Sequence, residues 1–299
     1  SINMNIYDCF MYFDENLLLE LRLNTLDKYV KKFIISEATY THNGDKKNLK
    51  FNINNFKKFK DKITYIVVDK EPKNILKLDK GEHEDKRGEK LILNGMARDY
   101  YQREQLNEGI KEAQNDDLIV ISDLDEIPNL NNLNFSEIKN QIYVFGQKIF
   151  YYKLNLYYDE FKWYGTKGVK KKNFISPQWL RNIKAKNYSK LRPDILFSKK
   201  KYSNLKFIDN GGWHFTCLKT PEELEKKLLN FAHHYEFEAS GLKIDDLKKI
   251  ISEKRVIYDH NIDSKEYKWS GKVKLKKIDN SFLPIYVLSN LEKYKDWLD

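Results

Sequence analysis

The chain is poor in the residues that cross-link or punctuate a fold. It has two cysteines in 299 residues, Cys9 and Cys217, far apart and with no Cys-x-x-Cys pair. That excludes a disulfide framework, a cysteine-rich zinc site and a dithiol redox motif, and leaves the expectation of two buried free thiols. Prolines number six and glycines twelve, with no Pro/Gly/Ser-rich stretch and no internal repeat. Without a linker signal the chain is expected to form one domain over residues 4–240, with 241–299 packed on it as a C-terminal helical elaboration. No run approaches the roughly 18 consecutive apolar residues of a membrane-spanning helix. The opening Ser1 to Asn5 has no basic segment leading into an apolar one, which sets the expectation of a cytoplasmic protein.

Charge, by contrast, is abundant and one-sided. Hydrophobic residues make up 41% and charged residues 33%, a globular composition, and the net charge is +10. Lysines cluster at Lys58, Lys60 and Lys62 and at Lys170, Lys171 and Lys172. A basic surface attracts nucleic acid, anionic lipid or phosphorylated substrates. No zinc finger, RNA-recognition motif or basic heptad region is present, so nucleic acid is not an expected partner. Anionic substrates, and peripheral contact with the inner face of an anionic membrane, are.

The first 130 residues alternate strand and helix patterns. Strands are expected over Ile6–Phe13, Lys32–Ala38, Ile63–Val68 and Asp117–Ser122, and helices over Glu15–Leu26 and Met96–Ala113. This alternation predicts an α/β fold with a mainly parallel central sheet flanked by helices, which binds ligands at the carboxyl ends of its strands. Gln141–Tyr158 predicts one or two long strands. Pro221–Glu238 predicts a helix capped by Thr220, and Ile244–Glu253 a further one.

The strongest chemical signal follows the apolar run Leu118-Ile119-Val120-Ile121, which ends in Ser122-Asp123-Leu124-Asp125-Glu126-Ile127-Pro128. In extended chain, residues two apart share a side, so Asp123 and Asp125 are expected to converge. Converging carboxylates repel unless a cation intervenes, and hard oxygen ligands suit Mg²⁺ or Mn²⁺ with positions left for a diphosphate. Haloacid-dehalogenase-type phosphatases also place Asp-x-Asp after an apolar strand. They follow it with a small residue and Thr near the start of the domain, unlike the Glu126-Ile127-Pro128 found here. A non-catalytic nucleotide-sugar or carbohydrate-binding module is the other alternative.

Five blocks in order resemble glycosyltransferase family 17, which includes the bisecting β-1,4-N-acetylglucosaminyltransferase of eukaryotic N-glycans. They are Tyr7 to Phe13 with Glu20 to Asp27, Glu37-Ala38-Thr39-Tyr40-Thr41-His42-Asn43-Gly44, Arg98 to Arg103, Ile121 to Pro128, and Gly212-Trp213-His214-Phe215. The resemblance spans residues 7 to 215 and weakens in the Tyr-rich region after 140. It implies a GT-A type nucleotide-sugar-binding fold, an inverting mechanism and UDP-N-acetylglucosamine as donor. The acceptor, an oligosaccharide or glycolipid, does not carry over with it. The implied setting is surface glycan synthesis.

The same resemblance implies Asp125 as direct metal ligand, Asp123 on the donor ribose or reaching the metal through water, and His214 as third ligand. Arg98 or Arg103 would reach the diphosphate, since Arg pairs bidentately with phosphate oxygens. Glu37 would meet uracil or ribose, with Tyr40, Thr41 and His42 lining the same mouth. Inversion requires a general base for the acceptor hydroxyl, expected from the later half of the chain. Asp209 and Glu236 are the candidates, with Asp159 and Glu160 as alternatives.

Overall fold

The computed structural model describes residues 3–230, 234–257 and 273–299. Strands β1 (Ile6–Met11), β2 (Lys32–Ala38) and β3 (Ile63–Val68) pair in parallel, and β4 (Leu118–Ile121) joins β1 on its other side, also in parallel. Strands β1 and β4, at the middle of the sheet, are buried nearly throughout, which is why their sequences are apolar without alternation. One face is covered by α1 (Asn16–Leu26), through Leu18, Leu19, Leu21, Leu23 and Leu26. The long helix α2 (Glu84–Glu104) leads into a 3₁₀ turn whose Leu106 packs with Ile34 and Ile119 on the other face.

Beyond β4 the parallel pattern breaks. Strand β9 (Lys167–Lys170) runs against both β4 and β6 (Ile142–Phe145), and β10 (Leu205–Ile208) pairs in parallel with β6. The seven-stranded sheet, ordered β10-β6-β9-β4-β1-β2-β3, is therefore mixed. A second sheet is ordered β12-β8-β7-β11-β5 and comprises β5 (Glu126–Pro128), β7 (Gln147–Tyr151), β8 (Leu156–Trp163), β11 (Gly212–Thr216) and the short β12 (Lys276–Lys277). The stretch expected as one or two long strands is three strands divided between the sheets, with Gly146 at the crossing from β6 to β7.

Helices α3 (Pro177–Asn182), α4 (Pro221–Asn230), α5 (His234–Ala239), α6 (Ile244–Ser252) and α7 (Ile285–Leu288) complete the described chain. The single helix expected over Pro221–Glu238 is thus two, α4 and α5. Thr220 caps α4 as expected, its hydroxyl accepting the Glu223 N–H at 3.2 Å. The C-terminal residues are not wholly helical: β12 forms an edge of the second sheet, and Val287 and Tyr294 are buried in the main core. Both cysteines are free; Cys9 is buried, whereas Cys217 is only partly so.

Candidate active site

Strand β4 ends at Ile121 and the chain then turns: the Glu126 N–H donates to the Asp123 carbonyl at 3.0 Å. The Asp-x-Asp segment is therefore a tight turn rather than extended chain, and its two aspartates meet different partners. What holds the turn is Arg22, a fully buried cation on α1. It makes a two-point ion pair with Asp8 of β1, at 2.8 Å from Nε and 2.6 Å from Nη2. Its Nη1 donates to the carbonyls of Asp123 and Leu124, each at 3.3 Å, and to that of Glu126. Buried carbonyls need donors, and one guanidinium supplies three of them here.

The Asp123 carboxylate faces two arginines, Arg103 at 3.1 Å and Arg181 at 2.8 Å. Burial alone would raise its pKa, but Arg181 and Arg103 outweigh burial and hold the carboxyl well below the usual range. Arg181 also forks onto the buried Glu126, at 2.6 Å from Nη1 to Oε1 and 3.0 Å from Nη2 to Oε2. Glu126 further accepts the Asp123 N–H at 2.7 Å and the Trp163 indole N–H. Gly165 makes room for this carboxylate, since a Cβ there would lie 1.8 Å from Glu126 Oε2. Arg181 stands on α3, which starts with Pro177 at its first position and Ser176 as a cap accepting the Trp179 N–H at 3.2 Å.

Asp125 meets a different partner. Its Oδ2 lies 3.4 Å from His214 Nε2. Pairing of β11 with β5 sets this meeting, placing His214 opposite Glu126 and letting the Phe215 N–H donate to the Asp125 carbonyl at 2.9 Å. Gly212 permits the close approach: its φ is +129°, and a Cβ would meet the Ile127 carbonyl at 2.0 Å. The Trp163 ring stacks on the His214 imidazole at 4.5 Å. Burial tends to raise the Asp125 pKa, but His214 and Lys227 bring it below its ordinary value.

A cavity of about 540 Å³ opens at the carboxyl ends of β1, β2 and β4. Its walls come from the ends of these strands (Met11, Ala38 and Asp123 to Asp125), from α2 (Met96, Asp99, Arg103), from α3 (Gln178, Arg181) and from α4 (Lys227). That volume fits a substrate of nucleotide size, and its position is where such sheets bind ligands. Arg103 is itself fixed by Asp99 at 2.9 Å and Gln178 at 2.6 Å.

The residues singled out from sequence divide cleanly. Arg103, Asp123, Asp125, Tyr40 and His42 line the cavity, the last with its Nε2 3.4 Å from Asp99. His214 is not on the wall but stands beside Asp125. Glu37 is fully buried and engaged elsewhere: it accepts from Lys47, from the backbone N–H groups of Lys50 at 2.7 Å and Phe51 at 3.0 Å, and from the Tyr65 hydroxyl at 2.7 Å. It anchors the 45–51 loop rather than facing a nucleoside. Thr41 bonds within its own turn, accepting the Asp45 N–H at 3.2 Å, and is not on the cavity wall. Arg98 is also absent from the wall; it pairs with Glu71 at 3.0 Å, donates to the His42 carbonyl at 2.9 Å and packs against Gly44.

Asp209 lies outside the cavity between β10 and β11, 88% exposed and 3.7 Å from Lys162. Asp159 is on β8 and pairs with Lys276 near the far edge of the second sheet, with Glu160 following it. Glu236 is on α5, and its side chain lies outside the described residues.

Among the described residues no group of three or more His, Cys, Asp or Glu side chains is placed to hold a metal ion. Of the three residues expected around a cation, Asp123 is engaged by Arg103 and Arg181. Asp125 and His214 still fit as a pair: 3.4 Å is long for a good hydrogen bond. It suits two ligands each about 2.1 Å from one cation.

Sequence reasoning passed over Arg22, Asp8, Glu126, Arg181 and Lys227. A signal existed for the first two, charged residues inside apolar patterns that demand burial and therefore a partner. For Arg181 and Lys227 no local pattern announces the role.

An α/β fold with a cavity at its strand ends, lined by carboxylates and by cations, has the form of a site for a polar ligand. The model of one family, Glycosyltransferase family 17, matches residues 1–299, the whole chain. The chain belongs to glycosyltransferase family 17 and is a glycosyltransferase, which implies a sugar donor and a carbohydrate acceptor. That assignment replaces the phosphatase and binding-module alternatives. No curated protein matches the chain significantly.

Proposed function

We propose that the chain transfers N-acetylglucosamine from UDP-N-acetylglucosamine, with inversion and with Mn²⁺ or Mg²⁺, to an oligosaccharide or glycolipid acceptor in surface glycan synthesis. The observation that carries this reading is the pair Asp125 and His214, 3.4 Å apart beside a cavity that also presents Lys227 and Arg103. Asp125 and His214 would hold the cation, which when bound supplies charge neutralisation for the departing diphosphate. Lys227 makes no hydrogen bond or ion pair among the described residues and lines the cavity near Asp125, so its ammonium is placed to meet a phosphate oxygen. Arg103 and Arg181 keep Asp123 ionised and fixed, ready to accept from a ribose hydroxyl. The arrangement accords with a GT-A type fold.

For the base we put Glu236 ahead of Asp209, on the placement of its helix alone. Helix α5 packs against α2 and α4, both of which line the cavity, whereas Asp209 projects into solvent. The basic composition supports a cytoplasmic protein working at the inner face of a membrane.

The deciding experiment is thermal melting with UDP and UDP-N-acetylglucosamine, each with and without Mn²⁺. A ligand that binds only the folded chain raises the midpoint, by about 2.7 kcal/mol of stability at a hundred times its Kd. The expected result is a metal-dependent rise that is lost in Asp125→Ala. A rise that ignores the metal would remove the cation from the proposal, and a rise with guanosine or cytidine nucleotides alone would replace the donor.

A further inference from the structure

Directly after α3, whose Arg181 lines the cavity, residues 184–201 form a loop unlike the rest of the surface. Its ends meet: the Lys184 N–H donates to the Lys200 carbonyl at 3.0 Å, and the Trp179 indole donates to the Lys199 carbonyl at 2.9 Å. Between these ends the chain presents Leu191, Leu196 and Phe197 at 92%, 82% and 89% exposure, the most exposed large apolar side chains among the described residues. Apolar groups this bare are costly in water unless something covers them.

The charge around them says what would. The loop carries seven basic residues (Lys184, Lys186, Lys190, Arg192, Lys199, Lys200 and Lys201) against one acid, Asp194, and that acid is already paired with Arg192 at 2.9 Å and Lys201 at 3.3 Å. Lys186, Arg192 and Lys201 gather over the Tyr188 ring at 5.1 to 5.6 Å. Bare apolar side chains flanked by cations suit a bilayer interface, where the apolar groups enter the acyl boundary and the cations meet anionic head groups. A protein partner of ordinary surface composition would answer the apolar side chains but not six uncompensated positive charges.

We propose that residues 184–201 are a membrane-docking loop that inserts Leu191, Leu196 and Phe197 into an anionic bilayer. Because the loop is tied to α3, docking would hold the cavity next to the lipid surface, where a lipid-linked acceptor lies. The proposal deepens the reading of a transferase working beside a membrane, yet lipid binding and sugar transfer are measured separately, so either can fail alone.

The test is co-sedimentation of the whole chain with vesicles of phosphatidylcholine, alone or with about one-third phosphatidylglycerol. Two variants are compared with the parent: Leu191→Ser/Leu196→Ser/Phe197→Ser, and Lys199→Gln/Lys200→Gln/Lys201→Gln. The parent is expected to bind only the phosphatidylglycerol vesicles and to be released by high salt. Each variant should bind at least tenfold more weakly while melting as the parent does, since none of the six side chains is in the core. Failure of the parent to bind anionic vesicles at low salt would overturn the proposal, as would undiminished binding by both variants. Self-association of the parent, seen by sedimentation velocity and abolished in the apolar variant without any vesicle binding, would assign the loop to a second copy of the chain and overturn it equally.

Discussion

Arg181 grips Glu126 at two points, 2.6 and 3.0 Å, while its second terminal nitrogen also reaches Asp123 at 2.8 Å. One guanidinium thus fixes two acids that would otherwise repel each other across a single turn. Arg181→Ala is expected to cost about 3–5 kcal/mol, because it leaves a buried carboxylate without its cation. Urea unfolding would show the midpoint falling at unchanged slope. Arg181→Lys should recover part of the stability but little of the sugar transfer, since an ammonium cannot fork onto two carboxylates.

Glu37 separates a structural from a substrate-binding role. If its carboxylate anchors the 45–51 loop, Glu37→Gln should lower stability by about 3 kcal/mol through the loss of the buried Lys47 pair. The donor KM should stay within about twofold of the parent. A donor KM raised tenfold at unchanged stability would instead return Glu37 to the nucleoside site.

Lys167 provides a pH signature. Its ammonium is buried and donates to the Arg181 carbonyl at 2.9 Å, and burial, with repulsion from Arg181, brings its pKa down to about 8. In the unfolded chain lysine titrates near 10.4. Between those values the unfolded state holds more protons, so the stability contribution of this group rises with pH. Below about pH 8 the cost of burying the charge is present in full. Relative to Lys167→Met, the parent should therefore gain up to roughly 3 kcal/mol between pH 8 and 10.4. Paired denaturation curves across that range would check it; parallel curves for the two proteins would refute it.

Lys227 should matter to the donor more than to the fold. Lys227→Met removes one charge-assisted contact to phosphate, worth about 1.5–3 kcal/mol, so kcat/KM should fall about ten- to hundredfold. Melting in the absence of nucleotide should fall modestly, because Asp125 and the neighbouring acidic groups outweigh burial and hold the Lys227 pKa above its ordinary value. Steady-state kinetics with varied donor would decide.

Much of the fold could be read from periodicity where burial is simple. Lys32–Ala38 and Ile63–Val68 are strands over those very residues, because β-branched runs between charged or turn residues have few other uses. The long helix α2 begins at Glu84, twelve residues before its predicted start, since Glu84-Asp85-Lys86-Arg87-Gly88 offers no apolar stripe to mark it. The site was legible in its elements and not in its pairings. Asp123, Asp125 and His214 all stand at or beside the cavity, but the turn at 123–126 sends the aspartates to different partners. A pattern three residues long cannot reveal that Arg181, 58 positions away, will claim one of them.

The turn after β4 belongs to both sheets at once: β4 closes on one side in the first, and β5 opens on the other in the second. Arg22 reaches it from about a hundred residues upstream, and His214 meets it from nearly as far downstream. Such non-local closures come late in a folding reaction, because the loops they shut must first be ordered. Sugar transfer should thus be the last property a refolding chain regains, appearing only once the two sheets are joined. A chain cut before β11 would keep most of the cavity wall and still lack the strand that completes the turn after β4.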